Sequence, residues 1–215
     1  CISTQAAARQ IESAIVDQRV KGVVLVLNAP GGYVLGVPEL AQTIFEAAAQ
    51  KPLVAFSDEQ ILSSGYWAAS SANGIYISSN VVSLGSIGVV MDHSYEPGSS
   101  KRQESVAAGK YKRMVNASEP LSKEARAEVQ ADVDYVYTLF VDDVACFRGA
   151  SSEQVLQHMA DGRVFRGQNA INAGLVDGVS TLDDLVARMA ADPSQFAKRR
   201  KAVFALGKPS PSAGA

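Results

Sequence analysis

Short apolar runs alternate with helical patterns through the first half of the chain, and this alternation constrains the fold more than any other feature. Gly22–Leu27 and Leu53–Phe56 are apolar on both faces, as is typical of strands buried in a parallel sheet. A helix is predicted between them, over Gly36–Gln50. Further strands are predicted at Ile75–Ser78 and Ser86–Met91. The segment from Ser57 to Leu62, which follows the second apolar run, is predicted to be a loop. The pattern predicts an α/β fold with a mainly parallel sheet flanked by helices.

Helix-capping signals organise the remainder of the chain. Ser122 begins a predicted long helix that reaches Arg148, and Ser151 opens a capping box with Gln154. The long helix has an apolar stripe, which fits either a subunit interface or packing on its own sheet. A strand over residues 163–165 and a helix starting after Thr181 complete the pattern. We expect one domain over residues 1–197, followed by a mobile tail over 198–215, basic at first and then rich in Pro, Ser, Ala and Gly.

Composition excludes several classes of function. Twenty basic and twenty-two acidic side chains give a net charge of −2, and the chain lacks the basic stripe of a nucleic-acid partner. The longest strongly apolar run is too short to span a bilayer, so we expect no membrane span. Two cysteines do not make a disulfide framework, and two histidines do not make a multi-histidine metal site. We expect neither a metal nor a cofactor.

Three loops rich in glycine and serine follow predicted strands, where open α/β sheets bind ligands. They are Asn28–Gly32 (NAPGG), Leu62–Trp67 (LSSGYW) and Gly85–Gly88 (GSIG). Adjacent glycines let backbone N–H groups point at an anion. A serine before a helix is more often an N-cap than a nucleophile, so each loop alone also fits a purely structural role.

A nucleophilic serine needs a base, and the sequence offers two kinds. His93, next to Asp92, allows a Ser-His-Asp triad. Alternatively, Lys110 or Lys112 acts as the base if burial keeps its amine neutral. In an extended segment both lysines face the same side, so periodicity leaves the choice open.

Taken together, the motifs resemble the serine peptidase family of signal-peptide peptidase A and the phage head protein-C proteases. The resemblance is carried by NAPGG, LSSGYW, SLGSIGV and AGKYK in order and spacing, and by the late element Arg163–Gly178. It covers about Ile11 to Leu185. The family resemblance implies a crotonase-like or Clp-like α/β spiral and a chain that lacks the family's first strand. Separately, Cys1 in place of an initiator methionine indicates truncation or cloning, with lipid modification of the cysteine as the alternative.

The resemblance also assigns roles by position. Ser63 matches the nucleophile, and Lys112, directly after a tyrosine, matches the general base of a Ser-Lys dyad. Ser86 matches the serine that orients the lysine amine. Backbone N–H groups of Gly31, Gly32 and Ser64 match the oxyanion hole. The sequence departs from the family pattern by having Ala29 in place of a serine, and a serine in place of a small residue at position 64.

The function implied is a serine endopeptidase that hydrolyses polypeptides through an acyl-enzyme. The segment Met91–Ser94 and the single-domain length favour the phage-type branch, which processes scaffold or capsid proteins during head maturation. Such a protein acts in the cytoplasm or inside an assembling prohead, as a homo-oligomeric ring. The alternatives are peptidase activity on hydrophobic signal-peptide remnants, and a non-catalytic scaffold or crotonase-like acyl-thioester binder.

Overall fold

The computed structural model of the protein describes residues 2–95, 106–117 and 119–197. The helices are α1 (Thr4–Val16), α2 (Val37–Gln50), α3 (Ser64–Ser70), α4 (Lys123–Arg148), α5 (Ser152–His158), α6 (Gly167–Asn172) and α7 (Leu182–Ala191). The strands are β1 (Val23–Val26), β2 (Leu53–Ser57), β3 (Gln60–Leu62), β4 (Gly74–Ile77), β5 (Ser83–Gly85), β6 (Val164–Arg166) and β7 (Gly178–Val179). The predicted tail lies outside the described residues.

The chain divides into two compact units. One comprises Cys1–Gly88 and the chain from Phe140 onward, and the other is Val89–Leu139. The first unit contains both sheets. One sheet has the order β1-β2-β4-β7 with every pair parallel, and the other has the order β3-β5-β6, in which only the β5–β6 pair is antiparallel. The predicted mainly parallel α/β architecture is confirmed.

The central strand β2 forms the core of the first unit. All five of its residues are buried, because β1 and β4 pair with its two edges and helices cover both of its faces. On one face, Val54 and Phe56 pack with Leu185 and Met189 of α7 and with Phe196. The other residues of β2 point to the opposite face, where α2 lies in contact with the strand. The buried β2 is therefore the strand against which β1 and β4 are aligned.

Two strands differ from the prediction. The expected fully buried strand Gly22–Leu27 is the shorter β1, which lies at the sheet edge and pairs only with β2. Its first three residues are half-buried, and Val26 is 56% exposed. The strand expected at Ser86–Met91 was wrong: β5 ends at Gly85, because Ser86 adopts a φ of 52° that an extended strand does not allow.

The segment between Ser57 and Leu62 also differs, since it contains the short strand β3 rather than a loop alone. Asp58, Glu59 and Gln60 are polar, so the sequence shows no apolar run that predicts a strand here. The strand forms because it pairs with β5. The predicted caps are confirmed: the hydroxyl of Ser122 accepts the N–H of Ala125 at 3.0 Å, and Ser151 forms its capping box.

Candidate active site

Strand pairing brings four loop segments of the first unit side by side. In the second sheet Leu62 lies opposite Gly85, and Gly85 lies opposite Val164. A bridge between Ala29 and Ile61 adds the Asn28–Gly32 loop to the other side of β3. The residues that follow Ala29, Leu62 and Gly85 therefore meet at one edge of this sheet. The residues that precede Val164 join them there, because β6 runs antiparallel to β5. That edge holds five of the six residues predicted for the site.

Ser63 has a strained backbone at the turn between β3 and α3. Its φ of 51° and ψ of −124° lie in a region that residues other than glycine seldom adopt. Its N–H donates to the carbonyl of Gly85 at 2.8 Å, and its own carbonyl accepts the N–H of Trp67. The Ser63 side chain makes no capping hydrogen bond with α3. The N-cap role that the segment alone favoured is therefore wrong in its side-chain part, and the hydroxyl is available for other chemistry.

Gly31 packs directly against Ser63. A Cβ atom at Gly31 would lie 2.8 Å from the Cβ of Ser63 and 3.4 Å from its Oγ, and the φ of Gly31 is 105°. Both facts require glycine at this position. The next residue, Gly32, has open space where a Cβ would be. Ser64 is the first residue of α3, so its N–H has no acceptor within the helix. Gly31 therefore lies against Ser63 in space, and Ser64 follows it at the start of α3.

Ser86 is the structural counterpart of Ser63 on the neighbouring strand. It follows Gly85, whose carbonyl accepts the Ser63 N–H, and its φ of 52° nearly equals that of Ser63. The N–H of Ser86 donates to the carbonyl of Arg163 at 2.8 Å. Ser63 and Ser86 are therefore brought together by the β3–β5 register, as two half-buried serines at adjacent strand ends.

Two buried aromatic residues hold α3, the helix that starts at Ser64. The Tyr66 hydroxyl donates to the carbonyl of Leu175 at 2.9 Å, and the Trp67 indole N–H donates to Asp143 at 2.8 Å. The Trp67 ring stacks on Phe140, with centroids 4.5 Å apart. Burial raises the pKa of Asp143 above its ordinary value, against the opposing effect of the indole N–H. Sequence reasoning missed Asp143, because nothing in its surroundings in the chain points to an indole partner.

The two candidate lysines lie in the second unit and differ in their contacts. The ammonium group of Lys110 lies 2.6 Å from the carboxylate of Glu124 and donates to the Tyr111 hydroxyl. The hydrogen bond to Glu124 raises the pKa of Lys110. Lys112 is exposed, and its N–H donates to the Gly109 carbonyl in a turn. The segment that holds both lysines is a turn and not an extended strand, so strand periodicity does not apply to them.

His93, the alternative base, is also in the second unit. Its Nε2 lies 3.0 Å from the backbone carbonyl of Glu119, and its ring stacks on Tyr95. Asp92 is not among the hydrogen-bond partners of His93 in the part of the chain that the structure describes. The same described ranges contain no cluster of three His, Cys, Asp or Glu side chains that could hold a metal ion. Every helix in these ranges is too short or too polar to span a bilayer.

Comparison with known proteins gives a family and several relatives. The sequence profile of peptidase family S49 matches residues 46–195. An inferred protease of Methanocaldococcus jannaschii is 34% identical over 177 residues, which cover 80% of this chain and 56% of that protein. The head-tail preconnector protein GP5 of Enterobacteria phage P21 is 30% identical over 84% of this chain and 36% of its own length. Protease 4 of Salmonella typhi is 32% identical over 85% of this chain and 30% of its own length.

The chain thus spans about half the length of these relatives, or less. Among solved structures, a variant of the 1510-N membrane-bound stomatin-specific protease aligns with a TM-score of 0.58 at 12% identity, over 87% of this chain and 79% of that one. A ClpP1 variant from Listeria monocytogenes aligns with a TM-score of 0.55 at 11% identity, over 84% and 85%. These similarities confirm the expected Clp-like fold.

Proposed function

Because this chain belongs to peptidase family S49, we propose that it is a serine endopeptidase in which Ser63 is the nucleophile and Lys112 the general base. One observation carries the assignment of Ser63: its strained, uncapped position against Gly31. Strain of this kind costs about 1 to 3 kcal/mol and is typical of functional sites. A serine that served only to cap α3 would adopt the relaxed extended backbone of Ser3, the capping residue of α1.

The proposed reaction is acyl transfer. The neutral amine of Lys112 takes the proton of the Ser63 hydroxyl as Oγ attacks the scissile carbonyl carbon. The tetrahedral oxyanion accepts hydrogen bonds from the N–H groups of Gly31, Gly32 and Ser64. The C–N bond then breaks, the leaving amine takes the proton from Lys112, and water hydrolyses the acyl-enzyme by the same steps. Ser86 orients the amine through a hydrogen bond.

The contacts of the two lysines support Lys112 over Lys110. A base must lose its proton, and the carboxylate of Glu124 stabilises the charged form of Lys110. Lys112 has an exposed side chain. A lysine in water has a pKa near 10.4, so the base needs burial to become neutral, and a neighbouring subunit is the proposed source of that burial. Activity should therefore increase from neutral to alkaline pH.

The proposed assembly is a homo-oligomeric ring in which serine and lysine come from adjacent subunits. The exposed apolar residues Tyr135 and Leu139 of α4, which are 66% and 40% exposed, support a further contact along that helix. The proposed substrate is a polypeptide with a small or medium apolar side chain before the cleaved bond, because Ala29, Val34 and Leu35 near Gly31 carry no charge. A peptide library that selects Arg or Asp at this position would contradict the substrate proposal.

We infer a phage-type role in processing scaffold or capsid proteins, in the cytoplasm or in a prohead, which the similarity to the phage P21 protein supports. Degradation of hydrophobic peptides is the competing role, and the similarity to a signal peptide peptidase SppA of Enterococcus faecium supports it. Cleavage of a co-expressed scaffold protein, compared with cleavage of signal peptides, distinguishes the two roles.

Fluorophosphonate labelling tests the nucleophile. The reagent should label Ser63, as mapped by peptide mass spectrometry, and Ser63→Ala should abolish both labelling and peptide cleavage. Ser64→Ala is the matched control, because it removes a neighbouring hydroxyl and keeps the backbone N–H. If Ser64→Ala abolishes labelling and Ser63→Ala does not, the nucleophile is Ser64.

A pair of lysine variants and a mixing experiment test the base. Lys112→Met should abolish cleavage, whereas Lys110→Met, which removes a neighbouring amine, should retain it. Mixing inactive Ser63→Ala with inactive Lys112→Met subunits should restore activity if the dyad is shared between subunits. No recovery after independently confirmed subunit exchange would place both residues in one chain.

A further inference from the structure

The backbone of Arg163 holds Ser86 in its strained conformation. The carbonyl of Arg163 accepts the N–H of Ser86 at 2.8 Å, and the preceding Gly162 donates its N–H to the carbonyl of Ile87 at 2.9 Å. These two bonds continue the antiparallel β5–β6 ladder beyond Gly85. A non-glycine residue with positive φ persists only where its surroundings over-determine it. At Ser86, these two hydrogen bonds are the contacts with the chain next to β6 that hold the strained backbone.

The side chain of Arg163 anchors the same residue to α5. Its Nε donates to the carbonyl of Ala160 at 3.2 Å, and its Nη2 donates to the carbonyl of Gln157 at 3.1 Å. The carbonyl of Gln157 lies in the last turn of α5, where it lacks a partner within the helix, whereas Ala160 lies two residues beyond the end of α5. The guanidinium carbon also lies 5.4 Å from the ring centroid of Phe165.

The turn between α5 and β6 needs such an anchor. Asp161 and Gly162 have φ values of 63° and 69°, so two successive residues are in the left-handed region. The Arg163 side chain spans this turn from β6 back to α5. The main-chain bonds to Ser86 and Ile87 hold the same turn against β5.

We propose that Arg163 is a positioning residue for the peptidase reaction. The side chain of Arg163, bonded to the carbonyls of Gln157 and Ala160, holds the Arg163 carbonyl against the N–H of Ser86. This contact fixes the Ser86 hydroxyl, which orients the amine of Lys112. The inference rests on the proposed function in its catalytic part. Its structural part, the control of the Ser86 backbone by the Arg163 side chain, has an independent readout.

The experiment compares Arg163→Met with Arg166→Met. Arg166 lies on the same strand, and its side chain bonds to the Ser83 hydroxyl at 3.1 Å instead of to α5. Arg163 is exposed and borders an open cleft of about 550 Å³, so its replacement leaves no buried void. Arg163→Lys, which retains one donor for the α5 carbonyls, serves as the conservative variant.

Amide hydrogen exchange measures the structural part. In Arg163→Met the amides of Ser86 and Gly162 should exchange about tenfold faster than in Arg166→Met. The amide of Ala29, which donates to the carbonyl of Gln60 in the same site, should keep its rate. Peptide hydrolysis measures the catalytic part: kcat should fall about tenfold with KM within about twofold, and Arg163→Lys should recover part of the loss.

Each outcome decides a defined part of the inference. Faster Ser86 exchange together with reduced kcat supports it. Equal behaviour of Arg163→Met and Arg166→Met overturns it, as does faster exchange with unchanged kcat. If the wild-type protein neither reacts with fluorophosphonate nor cleaves peptides, the proposed function fails, and the exchange rates still decide whether Arg163 controls the Ser86 backbone.

Discussion

Asp177→Ala should destabilise the protein severely, because it breaks a buried ion pair. The carboxylate of Asp177 lies 2.8 Å from Nη1 of Arg148, and the two side chains are 16% and 1% exposed. The same oxygen accepts the N–H of Ile75 at 2.8 Å. The other guanidinium bonds, from Nε and Nη2, go to the carbonyl of Gly174. The pair therefore joins the end of α4, the start of β4 and the turn after α6.

The magnitude follows from what the variant leaves behind. Removing one partner of a buried pair costs about 3 to 5 kcal/mol, because the remaining charge is uncompensated. The bonds from Arg148 to Gly174 persist, which places Asp177→Ala near the middle of that range, at about 4 kcal/mol. For a chain of this size each kcal/mol lowers the melting temperature by about 2 to 4 °C, so a loss of about 8 to 16 °C is expected.

Urea unfolding and thermal melts at one fixed protein concentration provide the assay. Arg19→Met is the matched control, since the Arg19–Asp17 distance is 2.7 Å but the arginine side chain is 90% exposed, and no resolvable change is expected. The double variant Arg148→Met with Asp177→Ala should be more stable than Asp177→Ala alone, because it removes the orphaned charge. Destabilisation below about 1 kcal/mol in Asp177→Ala, or a double variant less stable than that single variant, would refute the reasoning.

Two further predictions concern the site and its support. Gly31→Ala should lower the rate of fluorophosphonate labelling at Ser63 at least about tenfold, because its Cβ would lie 2.8 Å from the Ser63 Cβ and its φ of 105° is strained for alanine; a labelling rate equal to wild type contradicts this. The raised pKa of Asp143 means that the folded state binds this proton more tightly than the unfolded state, so this group's contribution to stability falls as the pH increases from the ordinary value of 3.8 through the raised value. Asp143→Asn keeps an acceptor for the Trp67 indole and removes the titration of Asp143. The melting temperature of the variant should therefore increase relative to that of the wild type from acid to neutral pH. A difference in melting temperature that stays constant over this range would contradict the raised pKa of Asp143.

The fold class and the order of the elements were predictable from local patterns. The apolar run that became β2 is buried on both faces, and the caps at Ser122 and Ser151 begin the helices they predicted. Capping works through neighbours three residues apart, so the sequence contains all of its information. The glycine pair Gly31–Gly32 also indicated a loop whose backbone other residues rarely adopt, and the φ of Gly31 is 105°.

The site was predictable only as a set of residue types at strand ends. The sequence favoured an ordinary capping role for Ser63 in its own segment, and the strained backbone appears only when β3 pairs with β5. The two lysines looked equivalent in an extended segment, and the carboxylate of Glu124 distinguishes them. These facts depend on residues far apart in the chain, so no local pattern contains them.

Local signals in the sequence specify the helices and strands that have clear caps or apolar runs, and the loops that carry glycine and serine. Tertiary structure decided that Ser63 and Ser86 stand at adjacent strand ends, that Arg163 closes against Ser86, and that Asp177 neutralises Arg148. Local propensity and periodicity act over a few residues, whereas strand register and charge burial arise only when distant segments exclude water together.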